Sequence, residues 1–334
     1  MNKVFGVVCT YNRRELLARC VEAMMHQTVP PDRIVIFDNG STDGTEAYIA
    51  GHAWPAHPPI HYLRVETNLG CAAGFHRALE AAYRAGCEWA WIMDDDTVVA
   101  EEALAELEAA YRNCFSDTAD VGFLTSRIVT PDGEPNNVQL VDERRDVGGY
   151  KRWSSFLAQG LVMVRWTSLN STLIPRATLS RHFGPSPDFV IWGDDIDFTA
   201  RITKERPGYL VGRSLAVHHT RSRAQLNIFD EVEPERIRNF YYHYRNGVYI
   251  RRAHYGPLQM MLFLAKSLVE AAGALAGRNH RLLKAYSILT GLMAGCLFRP
   301  PILPYEADAP EKADPAPLQT RSSPQHEHLV STHG

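Results

Sequence analysis

Four short apolar runs dominate the first 114 residues of this chain. Each is followed by a polar or glycine-rich cluster, and the pattern leaves few folds open. Lys3 to Cys9, Arg33 to Phe37, Ile60 to Val65 and Trp89 to Met93 read as buried strands. Arg14 to His26, Ala72 to Ala85 and Ala100 to Tyr111 carry apolar side chains at three- and four-residue intervals and read as helices. Strands alternating with helices at this spacing build a mainly parallel sheet with right-handed crossovers, an α/β fold. In such sheets ligands bind at the carboxyl ends of the strands. Here those ends read Thr10-Tyr11-Asn12-Arg13, Asp38-Asn39-Gly40-Ser41, Asn68-Leu69-Gly70 and Asp94-Asp95-Asp96. Four polar strand ends in a row predict a site.

The rest of the chain is less regular. Pro131-Asp132-Gly133-Glu134 carries hairpin-turn residues. Leu157 to Trp166 and Tyr209 to Val217 read as strands, Asp194 to Lys204 as a helix, and long helical stretches follow Pro234. Three units result: an α/β domain over 1–235, a basic helical region over 236–299 and a tail over 300–334. That tail holds seven of the twenty prolines and few core-forming residues, so it reads as disordered.

Several clusters could carry chemistry. If the fourth strand continues through Asp94-Asp95-Asp96, Asp94 and Asp96 share a face and Asp95 points away. Two carboxylates converging there suit a hard divalent cation that also bridges phosphates; a solvated acidic turn is the plainer alternative. Trp192-Gly193-Asp194-Asp195 opens a helix, whose dipole favours negative charge. One of the two carboxylates is expected to cap that helix, and the other is a candidate general base. Asp197 and Arg201, four residues apart, read as an intrahelical ion pair. His218-His219 ends a β-like run; an imidazole beside two aspartates suits a third metal ligand, while a lone histidine there is more often structural. The loop from Gly70 to Gly74 is built of small residues and can approach a phosphate or sugar closely. Neither GxGxxG nor GxxxxGK[ST] occurs, which argues against a dinucleotide fingerprint and a P-loop.

In this order, CTYNR, FDNGSTDGT, NLGCAAGF, WIMDDD, IWGDDIDFTAR and a late histidine resemble the family 2 glycosyltransferases. Within them the chain is most similar to bacterial rhamnosyltransferases and galactofuranosyltransferases, over about residues 3–250. The resemblance implies a glycosyltransferase-A type nucleotide-binding sandwich with C-terminal helices. It implies that Thr10, Tyr11, Arg13 and Asp38 line the nucleotide pocket, Asp38 facing the base, and that Asn68 and the Gly70 to Gly74 loop touch the donor. Asp94 and Asp96 would hold Mg²⁺ or Mn²⁺ on the diphosphate, with Asp95 near the ribose or sugar. Asp195 would be the base of a single inverting displacement, with Asp194 and Trp192 beside it. His218 would complete the metal site, with His219 as the fallback. Cys71 and Ala73 stand where the galactofuranosyltransferases have a loop richer in glycine. The expected donor is a UDP or dTDP sugar, and the acceptor a growing bacterial glycan, free or lipid-linked.

Charge divides the chain further. The formal net charge of -3 hides a body of -9 over residues 1–235, a segment of +9 over 236–299, where Glu270 is the one acid, and a tail of -3. An acidic body excludes nucleic acid as the expected partner of the Tyr- and Arg-rich stretch after Pro234. Leu258 to Gly277 is apolar but contains Lys266 and Glu270, and Ala285 to Phe298 is only fourteen residues long. A spanning helix needs about 20 apolar residues, so amphipathic helices on an anionic membrane face are expected instead. A helical hairpin that packs on the protein or forms a homo-oligomer is the alternative. The start, MNKVFGVV, lacks a secretory h-region, and six scattered cysteines read as reduced thiols, so the expected location is cytoplasmic, at the inner membrane face. Two other functions stay open. A nucleotidyltransferase would need a stronger phosphate clamp than Arg13 and Arg14; a non-catalytic carbohydrate-binding protein would not need the aspartates.

Overall fold

The computed structural model describes residues 1–220 and 226–305. The first half alternates as expected. β1 (Val4–Thr10), α1 (Arg14–Met25), β2 (Arg33–Asp38), α2 (Thr45–Gly51), β3 (Ile60–Arg64), α3 (Cys71–Arg84) and β4 (Trp89–Asp94) form parallel steps. Next come β5 (Thr97–Val99), α4 (Ala103–Cys114), β6 (Phe123–Val129), β7 (Leu140–Val141), β8 (Leu161–Trp166) and β9 (Thr172–Pro175). The chain continues through α5 (Arg176–His182), α6 (Asp194–Thr203), β10 (Gly208–His218), α7 (Pro234–Ile250), α8 (Pro257–Ala276) and α9 (Arg281–Leu297).

All ten strands join one sheet in the order β3-β2-β1-β4-β9-β6-β10-β8-β7, with β5 pairing to β10. The sheet is mixed. β9 enters antiparallel between β4 and β6, and β8 runs antiparallel to β10, beside the parallel pair β6 and β10. β1 sits inside the sheet and every residue of it is buried, which explains its unbroken apolar run. Its side chains alternate: Val4 and Val8 join the core under α1 and α4, while Phe5, Val7 and Cys9 join the core under α3, α5 and α6. Each large side chain so buried contributes about 1.5–3 kcal/mol, so the two cores hold the strand ends in place.

The C-terminal helices have their own core, where Phe240, Tyr244 and Val248 of α7 meet Ala271 of α8 and Ile288 and Leu292 of α9. α7 begins before the expected boundary at 235, and its inner face lines the cavity described below. The tail differs from expectation over its first residues. Residues 300–305 lie outside any helix or strand, yet Tyr305 is buried against His76, Tyr83 and Phe183. One aromatic side chain is enough to tie this segment to the core that α3 and α5 share. The disorder expected beyond it falls on residues 306–334, outside the described residues.

Candidate active site

A cavity of about 880 Å³ opens at the carboxyl ends of β1, β2 and β4. Thr10, Tyr11, Arg13, Asn68, Gly70 and all three of Asp94, Asp95 and Asp96 line it. Trp192, Asp194 and Asp195 line it too. The strand ends and the second aspartate cluster therefore face one space.

Asp38 departs from expectation. It is fully buried and does not line the cavity; its carboxylate accepts from the Ser41 N–H (2.7 Å) and the Tyr62 hydroxyl (2.5 Å). Successive strand residues alternate faces, and the next residue, Asn39, takes the cavity position. Asn39 Nδ2 donates to Asn68 Oδ1 (3.0 Å) and the Gly70 carbonyl (2.9 Å), and Asn39 Oδ1 accepts from the Leu69 N–H (2.9 Å). One side chain thus holds the loop expected to touch a donor. Gly70 in that loop has φ +90°, and a Cβ there would lie 2.8 Å from the Val190 carbonyl oxygen. Gly74 does not line the cavity. A Cβ on it would lie 2.4 Å from Cys9 Sγ, so it serves the packing of α3 on β1 rather than contact with a phosphate.

β4 ends at Asp94, and the chain turns through Asp95 and Asp96 into β5. Strand alternation therefore stops, and the expected pairing of Asp94 with Asp96 changes. Arg13 joins Asp95 (3.2 Å) to Asp96 (2.6 Å). Thr10 Oγ1 also donates to Asp95 (2.7 Å), and Asn170 Nδ2 donates to Asp94 (3.2 Å). Burial and the neighbouring Asp96 charge push the Asp94 carboxyl well above its usual range. Burial pushes Asp95 up to about 6 against the pull of Arg13. Asp96 is held below the usual range; burial opposes this, but His218 and Arg13 outweigh it.

β5, which the sequence reading missed, brings the histidines in. It pairs with β10 so that His218 lies opposite Thr97. His218 Nε2 then stands 3.2 Å from Asp96 Oδ1, and Nδ1 lies 2.8 Å from Asn136 Oδ1. Burial disfavours a charged ring, but the Asp96 and Asp94 carboxylates outweigh it and raise the His218 pKa; a cation bound there would displace the Nε2 proton. His219 turns away: its N–H donates to the Asp96 carbonyl (2.8 Å) and its ring meets Arg19 on α1 (3.1 Å). Neither histidine is among the cavity-lining residues.

Among the described residues no group of three or more His, Cys, Asp or Glu side chains is already arranged to hold a metal ion. The residues nonetheless fit a hard cation. Asp96 Oδ1 is buried and accepts no well-formed hydrogen bond. It faces an imidazole nitrogen, and two further carboxylates stand beside it with one guanidinium shared among them. Asp94, Asp96 and His218 supply the oxygen and nitrogen donors such an ion takes.

Asp194 and Asp195 occupy the first turn of α6, behind Gly193 at φ +85°. Gly193 takes the cap position itself, and Asp195 Oδ1 accepts from the Ile196 N–H of the first turn (2.7 Å), so one carboxylate does meet a free N–H of the helix start. Burial pushes Asp195 up to about 6, and burial with the Asp195 charge pushes Asp194 up to about 8. A carboxyl poised near neutrality can accept a proton during turnover. The Asp197–Arg201 ion pair forms at 2.9 Å, as the spacing predicts.

The segment before Asp194 is strained. Val190 and Trp192 have φ of +65° and +64°, unfavourable for a β-branched and a bulky residue. Asn246 on α7 holds it: buried, it donates to the carbonyls of Phe189 (3.0 Å), Ile191 (3.1 Å) and Trp192 (2.8 Å). Arg245 donates to the carbonyls of Asp188 (2.5 Å) and Phe189 (3.2 Å). Asn239, His243, Gly247 and Arg251 of the same helical region complete the wall. Asn39 lies in one of the polar strand ends that predict the site; no local signal in the sequence marks Asn136 or Asn170.

Comparison with known proteins agrees with this geometry. Residues 7–162 match the model of Glycosyl transferase family 2. Galactofuranosyltransferase GlfT1 of Mycolicibacterium smegmatis is 36% identical over 93 residues, which is 28% of this chain and 30% of that protein's length. Two solved structures share the fold. Residues 1–349 of S. aureus TarS, in complex with UDP-GlcNAc, superimpose with a TM-score of 0.56 at 14% identity, covering 88% of this chain and 81% of that one. The mannosyltransferase PcManGT from Pyrobaculum calidifontis, in complex with GDP-Man and Mn²⁺, gives 0.51 at 19% identity, covering 88% and 86%. Residues 7–162 of this chain are a family 2 glycosyltransferase domain, set in a glycosyltransferase-A fold.

Proposed function

We propose that the chain transfers a sugar from a nucleoside-diphosphate sugar, with Mg²⁺ or Mn²⁺, to a hydroxyl of a growing, lipid-linked bacterial glycan at the inner membrane face. The observation that carries this reading is one cavity faced by both Asp94-Asp95-Asp96 and Asp195. Rhamnose and galactofuranose are the proposed sugars, and the similarity to GlfT1 supports the second. UDP-GlcNAc and GDP-Man in the similar structures support a nucleotide-sugar donor, and Mn²⁺ in one of them supports the cation.

Thr10, Tyr11 and the Asn39-held loop at Asn68 to Gly70 bind and orient the donor. Asp94, Asp96 and His218 hold the cation, which when bound neutralises charge developing on the leaving diphosphate. Arg13, already shared between Asp95 and Asp96, lies at the same edge of the cavity. The acceptor hydroxyl attacks the anomeric carbon on the face opposite the leaving group. A new C–O bond forms, the bond to the diphosphate breaks, and the hydroxyl proton passes to Asp195. Configuration at the anomeric carbon inverts.

Thermal-shift titration with UDP, dTDP and GDP sugars, with and without Mn²⁺, tests the reading. A cation-dependent shift with one nucleotide series is expected. No shift with any donor would sink it and favour a non-catalytic protein.

A further inference from the structure

Helices α8 and α9 turn large apolar side chains to the outside. The buried residues of α8 are Ser267, Ala271 and Ala274. Its outward stripe is Leu258, Met261, Leu262, Leu268, Val269 and Leu275, with Val269 72% exposed. These positions recur at three- and four-residue steps, so they form one face of the helix. α9 repeats the arrangement. Leu282, Tyr286, Met293 and Leu297 face outward, Leu297 at 82% exposure, while Lys284, Ser287, Gly291 and Gly295 are buried beside the core residues Ile288 and Leu292.

Water does not favour this distribution, whereas helices that pack in lipid put small residues between them and large apolar ones outside. Gly291 and Gly295 let α9 approach α7 closely: a Cβ on them would lie 2.6 Å from the Tyr241 carbonyl oxygen and 2.7 Å from that of Arg245. α8 has 20 residues and, among the described residues, is the one helix long and apolar enough by length and composition to cross a membrane. Only 17% of its most apolar stretch is buried. This differs from the sequence reading, in which Lys266 and Glu270 interrupt the stretch; the two pair with each other at 3.7 Å.

Two observations choose between crossing and lying on a membrane. α9 packs on α7, whose opposite side lines the aqueous cavity, so lipid cannot surround the helix pair. The exposed charges at the α8–α9 turn, Arg278 and Arg281, are both basic, which complements an anionic surface. Part of the +9 of this region is not available for that purpose: Lys284 is buried on the Phe229 carbonyl, and Arg252 caps the end of α9.

We infer that the outer faces of α8 and α9 sit in the headgroup and upper acyl layer of an anionic bilayer, holding the chain on one leaflet without crossing it. This rests on the transferase reading only for what the membrane would present, a lipid-linked acceptor.

The test is flotation of the full chain with vesicles of phosphatidylcholine alone or with added phosphatidylglycerol. The wild type should float with both, more strongly with the anionic lipid, and alkaline carbonate should strip it. Val269→Glu with Met293→Glu should bind about tenfold more weakly or worse, with unchanged circular dichroism and donor affinity. Should that variant fail to fold, Arg278→Glu with Arg281→Glu lies on an exposed turn; it should lose the preference for anionic lipid and keep the residual binding to neutral vesicles. A wild type that stays unbound, or carbonate-resistant protein, would overturn the proposal. So would a concentration-dependent dimer that the apolar-face variant abolishes without any vesicle binding. None of these outcomes bears on donor binding, so the transferase reading stands or falls separately.

Discussion

His254 Nε2 lies 2.8 Å from Asp197 Oδ1, and both side chains are 2% exposed. The contact joins α6, which carries Asp195 in its first turn, to the π-helical turn that follows α7. The other oxygen of Asp197 takes Arg201, which in turn donates to the carbonyls of His182 and Gly184. Burial alone would raise the Asp197 carboxyl, but His254 and Arg201 hold it below its usual range. Asp197 is therefore a structural anion, distinct in role from Asp194 and Asp195.

Removing its partner should cost stability. His254→Ala leaves a buried carboxylate with one hydrogen-bonding group fewer, a loss of about 1–3 kcal/mol. His254→Gln, able to donate to the same oxygen, should recover part of it. Urea unfolding of the three proteins measures this, and equal stabilities would remove His254 from the account.

Asp195→Asn should keep donor affinity and lose transfer by about 10²–10⁴-fold. Calorimetry and single-turnover kinetics separate the two. Wild-type transfer should also fall below pH 6, because Asp195 accepts a proton only when ionised and its carboxyl titrates at about 6. A rate flat from pH 5 to pH 8, or near wild-type turnover by the variant, would reject Asp195 as base.

Asp194 should make the protein less stable as pH rises. Its folded-state carboxyl, at about 8, binds a proton more tightly than the unfolded chain does at about 3.9. The folded state thus holds more protons between those values, and stability declines as pH rises across that window. Asp194→Asn should melt at least about 2 °C higher than wild type at pH 8, with the difference shrinking toward pH 4.5. Scanning fluorimetry at the two pH values reads it, and a pH-independent difference would contradict the assignment.

Asp96→Ala removes the oxygen that faces His218 and the partner of Arg13. Nucleotide affinity should then lose its dependence on Mn²⁺. Calorimetry with and without Mn²⁺ decides it; the same metal enhancement in variant and wild type would exclude Asp96 as a ligand.

The first four strands and their helices were legible because each is a local pattern: an apolar run, then helical spacing. β5 and β9 were not. They are three and four residues long, and only partners far along the chain make them strands. The acidic clusters were legible as chemistry, but their geometry was not. Alternation placed Asp95 away from Asp96 because the sequence gives no mark of where β4 stops. Asp38 was placed at the base by the resemblance, whereas the structure buries it and brings its neighbour Asn39 to the cavity. Trp192 to Asp195 could be read as a helix start, yet nothing local predicts that Asn246, more than fifty residues on, holds the backbone before it.

The close approach of α9 to α7 gives the site an unexpected sensitivity. Gly295 abuts the carbonyl of Arg245, the residue that, with Asn246, grips the carbonyls leading to Trp192 and Asp195. A methyl group added at that glycine would press on the backbone from the side facing away from the cavity. The chain of contacts from Gly295 to the reacting groups passes through only one helix. Activity would then register a lesion on the outermost layer of the molecule, and the thickness of the cavity wall is set by side chains that are not there.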